Sequence, residues 1–219
     1  MTPLSPMKPM SLGMMERIRE NYIVQGWLIL MLCFFFGGSL SGIQVKLSPI
    51  IEENKVNETK QRVPELLLGP SEAQQPLDLK LHTIEVEKKG RKVFYNVYEA
   101  RYADGKLAGW VTKASGQGYA DKIELLIGLD PQLEKITGLF ILEQKETPGL
   151  GNKIVTEKWR TQFAGKETKQ VLTVVKGGVK ADNEIDAVSG ATISSKSVTS
   201  IINTAVNDLK APLSSKIRG

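Results

Sequence analysis

The run Asp186-Ala187-Val188-Ser189-Gly190-Ala191-Thr192-Ile193-Ser194-Ser195 gathers hydroxyl side chains around a single glycine. It lies where a β-type stretch gives way to a long amphipathic one. From Ile193 the apolar positions recur at Val198, Ile201, Ile202, Ala205, Val206 and Leu209. That spacing makes one face of a helix, which Pro212 is expected to close. Thr192 then falls in the first turn, where backbone N–H groups lack intrahelical partners and the helix dipole is positive. A phosphate group suits that place, and Gly190 lets a ligand come close to the backbone. Helix capping explains the same residue types without a ligand, because Ser189 or Thr192 could accept from free N–H groups. Within this run alone both readings stay open.

The elements that must position this run begin with bulk composition. The chain has 219 residues and a net charge of +5, with Lys and Arg mixed among acids. No basic stretch interleaves with aromatics, so nucleic-acid binding is not expected. A single cysteine, Cys33, allows no internal disulfide and no cysteine-held iron–sulfur cluster. A single histidine, His82, lies in a strand-like stretch and is assigned a structural role, so no metal site is expected. Redox chemistry in this chain would have to be carried by an organic cofactor.

No charged residue occurs from Asn21 to Val45. A helix of about 20 residues crosses a hydrocarbon core of roughly 30 Å, so the stretch is long enough to span. Lys8, Arg17 and Arg19 precede it, with Glu16 and Glu20 among them, which favours a cytoplasmic N-terminus. Tyr22 and Trp27 suit an interfacial position. A cleavable signal peptide is the alternative, since Ser39-Leu40-Ser41 imitates a cleavage site; the apolar length favours an uncleaved anchor. Either way the remainder is expected outside the cytoplasm. The expected division is a cytoplasmic segment over 1–20, a transmembrane helix over 21–45, a stalk helix and linker over 46–80, a folded domain over 81–212 and a tail over 213–219.

The folded part is expected to be α+β. His82–Glu87 and Lys92–Arg101 are expected to form a hairpin, and Asp104-Gly105 turns the chain into Leu107–Ala114. Apolar residues alternate at Ile123, Leu125, Ile127 and Leu129, and Ile136, Gly138, Phe140 and Leu142 give a further alternating run, with Asp130-Pro131 turning the chain between. This is an antiparallel meander, expected to be covered on one side by the last helix, with a short helix near Asn152–Phe163 and a strand over Val171–Val175. No Gly-x-Gly-x-x-Gly follows a strand, so a dinucleotide-binding α/β fold is not expected.

Two further loops carry motif-like sequences: Gly116-Gln117-Gly118-Tyr119, expected between two strands, and Glu146-Thr147-Pro148-Gly149-Leu150-Gly151. Alone, each is explained by turn chemistry. In order with Ser189–Thr192, over about residues 85–210, they resemble the FMN-binding domain family. Within that family the pattern is similar to the membrane-anchored G subunits of Rnf-type electron transport complexes. The C subunits of sodium-translocating NADH:quinone reductases are close relatives.

The resemblance implies that Thr192 carries FMN through a phosphoester. Ser189, Gly190 and Ala191 would form the turn around it, and Asp186 would orient that turn. Thr147, Pro148, Gly149 and Leu150 would approach the flavin from the second loop. Trp159 and Phe163 are candidates to cover the ring, against a plain core role for both. Attachment would need a separate flavin transferase with FAD as donor and Mg²⁺, because no histidine lies nearby to activate a threonine hydroxyl. The implied role is an electron-carrying subunit, not catalytic alone, working with other membrane subunits of an ion-translocating ferredoxin:NAD complex in a prokaryotic inner membrane, and in contact with lipid. The alternatives are the quinone reductase subunit, a stand-alone extracytoplasmic reductase, or a non-redox membrane-tethered scaffold.

Overall fold

The computed structural model describes residues 21–88 and 90–217. The segment expected in the cytoplasm, 1–20, lies outside the described residues, as do Lys89 and the last two positions. The chain divides into two units, Met1–Asn54 and Lys55–Gly219. The described part of the first unit is helical, within a helix that runs Tyr22–Leu68 (α1). Large apolar residues from Tyr22 to Val45 in α1 are exposed, including Leu28, Phe34 and Phe35. Among the described residues, α1 is the one helix long and apolar enough to cross a membrane.

The second unit is built on five strands: β1 (Asp78–Lys88), β2 (Arg91–Arg101), β3 (Leu107–Gln117), β4 (Lys122–Leu129) and β5 (Ile136–Glu143). Each pairs antiparallel with the next, in sheet order β1-β2-β3-β4-β5. The expected α+β meander is therefore present. Gly116 and Gln117, expected between strands, instead end β3 and pair with Ile123 and Lys122. The turn starts one step later, because Gly118 N–H bonds the Asp121 carbonyl and closes it.

After β5 come a 3-10 turn at Gly151–Val155, the short helix α2 (Glu157–Arg160) and a second 3-10 turn at Thr161–Phe163. Then β6 (Thr173–Val175) and β7 (Glu184–Asp186) pair in parallel as a separate two-stranded ribbon. The last helix, α3, runs Thr192–Ile217. It does not stop at Pro212, although a proline costs a helix one hydrogen bond and crowds the preceding turn. Leu209 and Leu213 on either side are fully buried, and this packing carries the helix across the proline.

One face of the sheet buries Val97, Ile123, Leu125 and Ile127 against Val198, Ile202 and Leu209 of α3. The last helix thus covers one side of the sheet, as expected. The other face buries Tyr98, Val111 and Leu126 with Val63 and Leu66 of α1. Strand β4 is accordingly buried at every position but its first, since both of its faces are covered. Residues 55–80, expected as stalk and linker, thus include positions that pack with the sheet, and β1 begins at Asp78.

Candidate functional site

The loop between β7 and α3 turns on Gly190, whose φ is +79°, a conformation that L side chains rarely adopt. A Cβ there would stand 2.9 Å from the Leu150 side chain, so the second loop packs directly on the third. Thr192 is the first residue of α3 and its side chain is half-buried. Behind it, the Ser195 hydroxyl accepts from Val188 N–H at 3.0 Å and donates to the Ala191 carbonyl at 3.0 Å. The helix thereby staples its own entry loop from within. Neither Ser189 nor Thr192 makes that bond; the loop is braced by a residue one turn inside the helix.

A second brace comes from Glu146, a residue that sequence reasoning quoted in its motif and gave no role. It is buried to 4% exposure at the end of the β5 connection. Its Oε2 accepts from the Ser194 hydroxyl at 2.6 Å, and its Oε1 accepts from Ala120 N–H at 3.2 Å. A Cβ on Gly118 would collide with Oε1, so that glycine is what admits the carboxylate. One side chain therefore ties together the three loops that carry the three motifs. A buried carboxylate is stable only when hydrogen-bonded in this way.

The three loops wall a cleft of about 800 Å³. It is lined from the predicted set by Thr147, Leu150, Asp186, Ser189, Gly190, Ala191 and Thr192. Pro148 and Gly149 belong to the exposed tip of the second loop and do not line it. Asp186 enters through β7: its backbone is held by Gln162 and by the Trp159 indole N–H at 2.9 Å. Its Oδ1 accepts from Gly178 N–H at 3.4 Å, which brings the 176–178 loop to the rim.

Trp159 and Phe163 do not cover the cleft. They are buried, pack edge to face with centroids 5.1 Å apart, and belong to the core. The aromatic at the cleft is Tyr119, which is 63% exposed; Leu150 and Ile193 add exposed apolar surface beside it. Lys176 is the cation of the lining, and Asp186 is its carboxylate. Tyr119 and Lys176 were not predicted as site residues. The position of Tyr119 in the first motif was the available signal; Lys176 had none beyond its neighbouring glycines.

Residues 118–207 match the FMN-binding domain family. That stretch holds all three walls of the cleft. The chain is 42% identical, over 106 residues, to the G subunit of the Na(+)-translocating ferredoxin:NAD(+) oxidoreductase complex of Acetobacterium woodii, covering 48% of this chain and 50% of that protein. It is 34% identical, over 116 residues, to the C subunit of the Na(+)-translocating NADH-quinone reductase of Neisseria meningitidis serogroup A, covering 50% and 45%. The match thus spans about half the length of these relatives. In fold it is similar to the crystal structure of the corresponding C subunit from Parabacteroides distasonis, with TM-score 0.54 and 24% identity over 74% of this chain and 92% of that one.

Proposed function

We propose that the cleft holds FMN and that Thr192 Oγ1 is the atom esterified to its phosphate. The observation that carries this is the convergence of the three motif loops on one cleft with Thr192 at the start of a 26-residue helix. The fit is chemical as well as spatial. A phosphate at Thr192 meets the free N–H groups and positive dipole of the first turn. A planar ring system finds Tyr119, Leu150 and Ile193 as apolar neighbours, and a cleft of this size suits a cofactor. The FMN would supply electron transfer. The protein's residues do the rest: Glu146 and Ser195 hold the loops, Gly190 gives close approach, and Asp186 fixes the turn.

Among the described residues no histidine lines the cleft to activate the threonine hydroxyl, so the ester is made by a separate flavin transferase: the Thr192 oxygen takes the FMN phosphoryl group of FAD, the pyrophosphate bond breaks, AMP leaves and the hydroxyl proton is lost. A tethered flavin cannot diffuse away outside the cytoplasm, where it is not readily replaced. We read α1 as a membrane anchor over residues 21–45, with the FMN-binding domain on the extracytoplasmic side, and the chain as an electron-carrying subunit of an Rnf-type ion-translocating complex. The 42% identity to the ferredoxin:NAD relative supports that assignment, and the 34% identity to the quinone reductase relative is the ground for the second reading. Purification with neighbouring subunits separates the two.

The decisive experiment coexpresses the chain with a flavin transferase, denatures it on a gel and reads flavin fluorescence at its band. The unsubstituted chain is expected to fluoresce, Thr192→Ala to be dark and Thr192→Ser to be dimmer. Fluorescence surviving in Thr192→Ala would refute the ester, and a dark unsubstituted chain would favour a scaffold.

A further inference from the structure

A second cavity, of about 680 Å³, opens at the far end of α3 between β1, β2 and β3 and the helix's last turn. Its walls are strongly cationic. Lys80, Arg101, Lys106 and Lys216 line it with His82, against the single carboxylate of Glu99. That carboxylate is already used. Its Oε2 pairs with His82 Nε2 at 2.6 Å and its Oε1 with Arg101 Nη2 at 2.5 Å. Lys216 Nζ lies 3.0 Å from His82 Nδ1; as donor there, it leaves the Nε2 proton for Glu99. Lys80 and Lys106 have no ion-pair partner among the described residues.

Trp110 supplies an independent observation. It is 2% exposed, it lines this cavity, and its indole Nε1–H has no hydrogen-bond partner among the described residues. A buried donor left unsatisfied is costly, and such a group in a native protein calls for a partner such as a bound ion or water. Leu107 and Pro131 give the same cavity an apolar wall.

We propose that this cavity binds a small organic anion. Its carboxylate or phosphate head takes the Trp110 N–H and the ammonium groups of Lys80 and Lys106, and its apolar body lies against Leu107 and Pro131. Charge-assisted donors and an apolar wall in one cavity are what a small-ligand site requires. The proposal is independent of flavin binding, because none of these residues lines the cleft at Thr192.

The test uses the full chain, ¹⁵N-labelled on tryptophan indoles, in non-ionic detergent at constant ionic strength. Benzoate and phenyl phosphate are titrated separately while the indole N–H peaks are followed. The peak missing in Trp110→Phe is expected to move saturably, and the tighter of the two probes names the head group. The Lys80→Ala/Lys106→Ala double variant is expected to bind about tenfold more weakly with the other indole peaks in place. A Trp110 peak that neither probe moves, or that moves without saturating, overturns the proposal. So does equal affinity in the double lysine variant.

Discussion

The two ends of α3 solve different problems. At its N-terminus the packing is done by hydroxyls and one buried carboxylate: Ser195 on its own entry loop, and Ser194 on Glu146. At its C-terminus Leu213 is buried and the polar contacts run through charged groups, with Lys216, His82, Glu99 and Arg101 in a chain. Short hydroxyl bonds to a buried partner fix a backbone path tightly, which suits a place where one threonine oxygen must sit open to a cleft. Ion pairs on long side chains fix less and respond to salt and acid. The contrast makes the N-terminal end the rigid one and the C-terminal end the adjustable one.

The largest expected break in that contrast is Glu146→Ala. It leaves the Ser194 hydroxyl buried without an acceptor and unties the first motif loop, at a cost of about 2–3 kcal/mol in denaturant unfolding. Covalent flavin loading should fall several-fold even in molecules that remain folded. Ser194→Ala should cost less, and the double variant should cost less than the sum, because both remove one interaction. Additive costs would mean that Glu146 does not act through Ser194. Glu99→Ala at the other end should leave flavin loading unchanged.

Next in size is Gly190→Ala. The positive φ costs about 1–2 kcal/mol for a residue with a Cβ, and that Cβ meets Leu150 at 2.9 Å. Pairing it with Leu150→Ala removes the collision and leaves the backbone strain. Partial recovery of stability in the pair would show that both terms act.

Acid sharpens the comparison from the ionic side. Burial pushes the Glu99 carboxyl up, but hydrogen bonds from His82 and Arg101 and the Arg101 charge outweigh it and hold the group below the ordinary glutamate range. For Glu124, burial is again outweighed, by Lys122 and Lys113, and the carboxyl titrates at about 2 in place of 4.5. A depressed carboxylate contributes stability that is fully present above its unfolded value and is lost as pH falls through the folded one. Melting temperature should therefore drop as pH falls from about 4.5 toward 2. Glu124→Gln should flatten most of that slope, and Glu99→Gln a smaller part. An unchanged acid limb in both would mean that these pairs are not what acid breaks.

Much of this was legible in the chain. The three-and-four spacing from Ile193 to Leu209 marked the buried face of α3, and Asp104-Gly105 and Asp130-Pro131 separated strands that do pair in sequence. The alternation of Ile123, Leu125, Ile127 and Leu129 marked one buried face of β4, but not the burial of Leu126 on the other, because its covering residues Val63 and Leu66 stand too far upstream for periodicity to connect them. Glu146 was hidden for a similar reason. Its partner is 48 positions away, and nothing local marks a glutamate as buried. Trp159 takes the core role that the sequence left open beside ring cover, with its indole bracing Asp186, while Tyr119, given no role, stands exposed at the cleft, because residue type does not report exposure.

The smallest effect separates the two kinds of bracing within one residue. Asp208 of α3 accepts from the Tyr95 hydroxyl at 2.8 Å and from Lys88 Nζ at 3.0 Å on the same Oδ2. The tyrosine is buried at 8% exposure, whereas the lysine side chain is 43% exposed. A hydrogen bond to a charged group in a buried setting is worth more than an exposed ion pair, which pays in side-chain entropy and is screened. Tyr95→Phe should cost about 1 kcal/mol and Lys88→Ala about 0.5 kcal/mol or less, by denaturant unfolding. At high salt the lysine effect should vanish and the tyrosine effect persist, since screening acts on the exposed pair alone. The reverse ordering would mean that charge, and no hydroxyl bond, holds this part of α3, and the contrast between its two ends would then lose its physical basis.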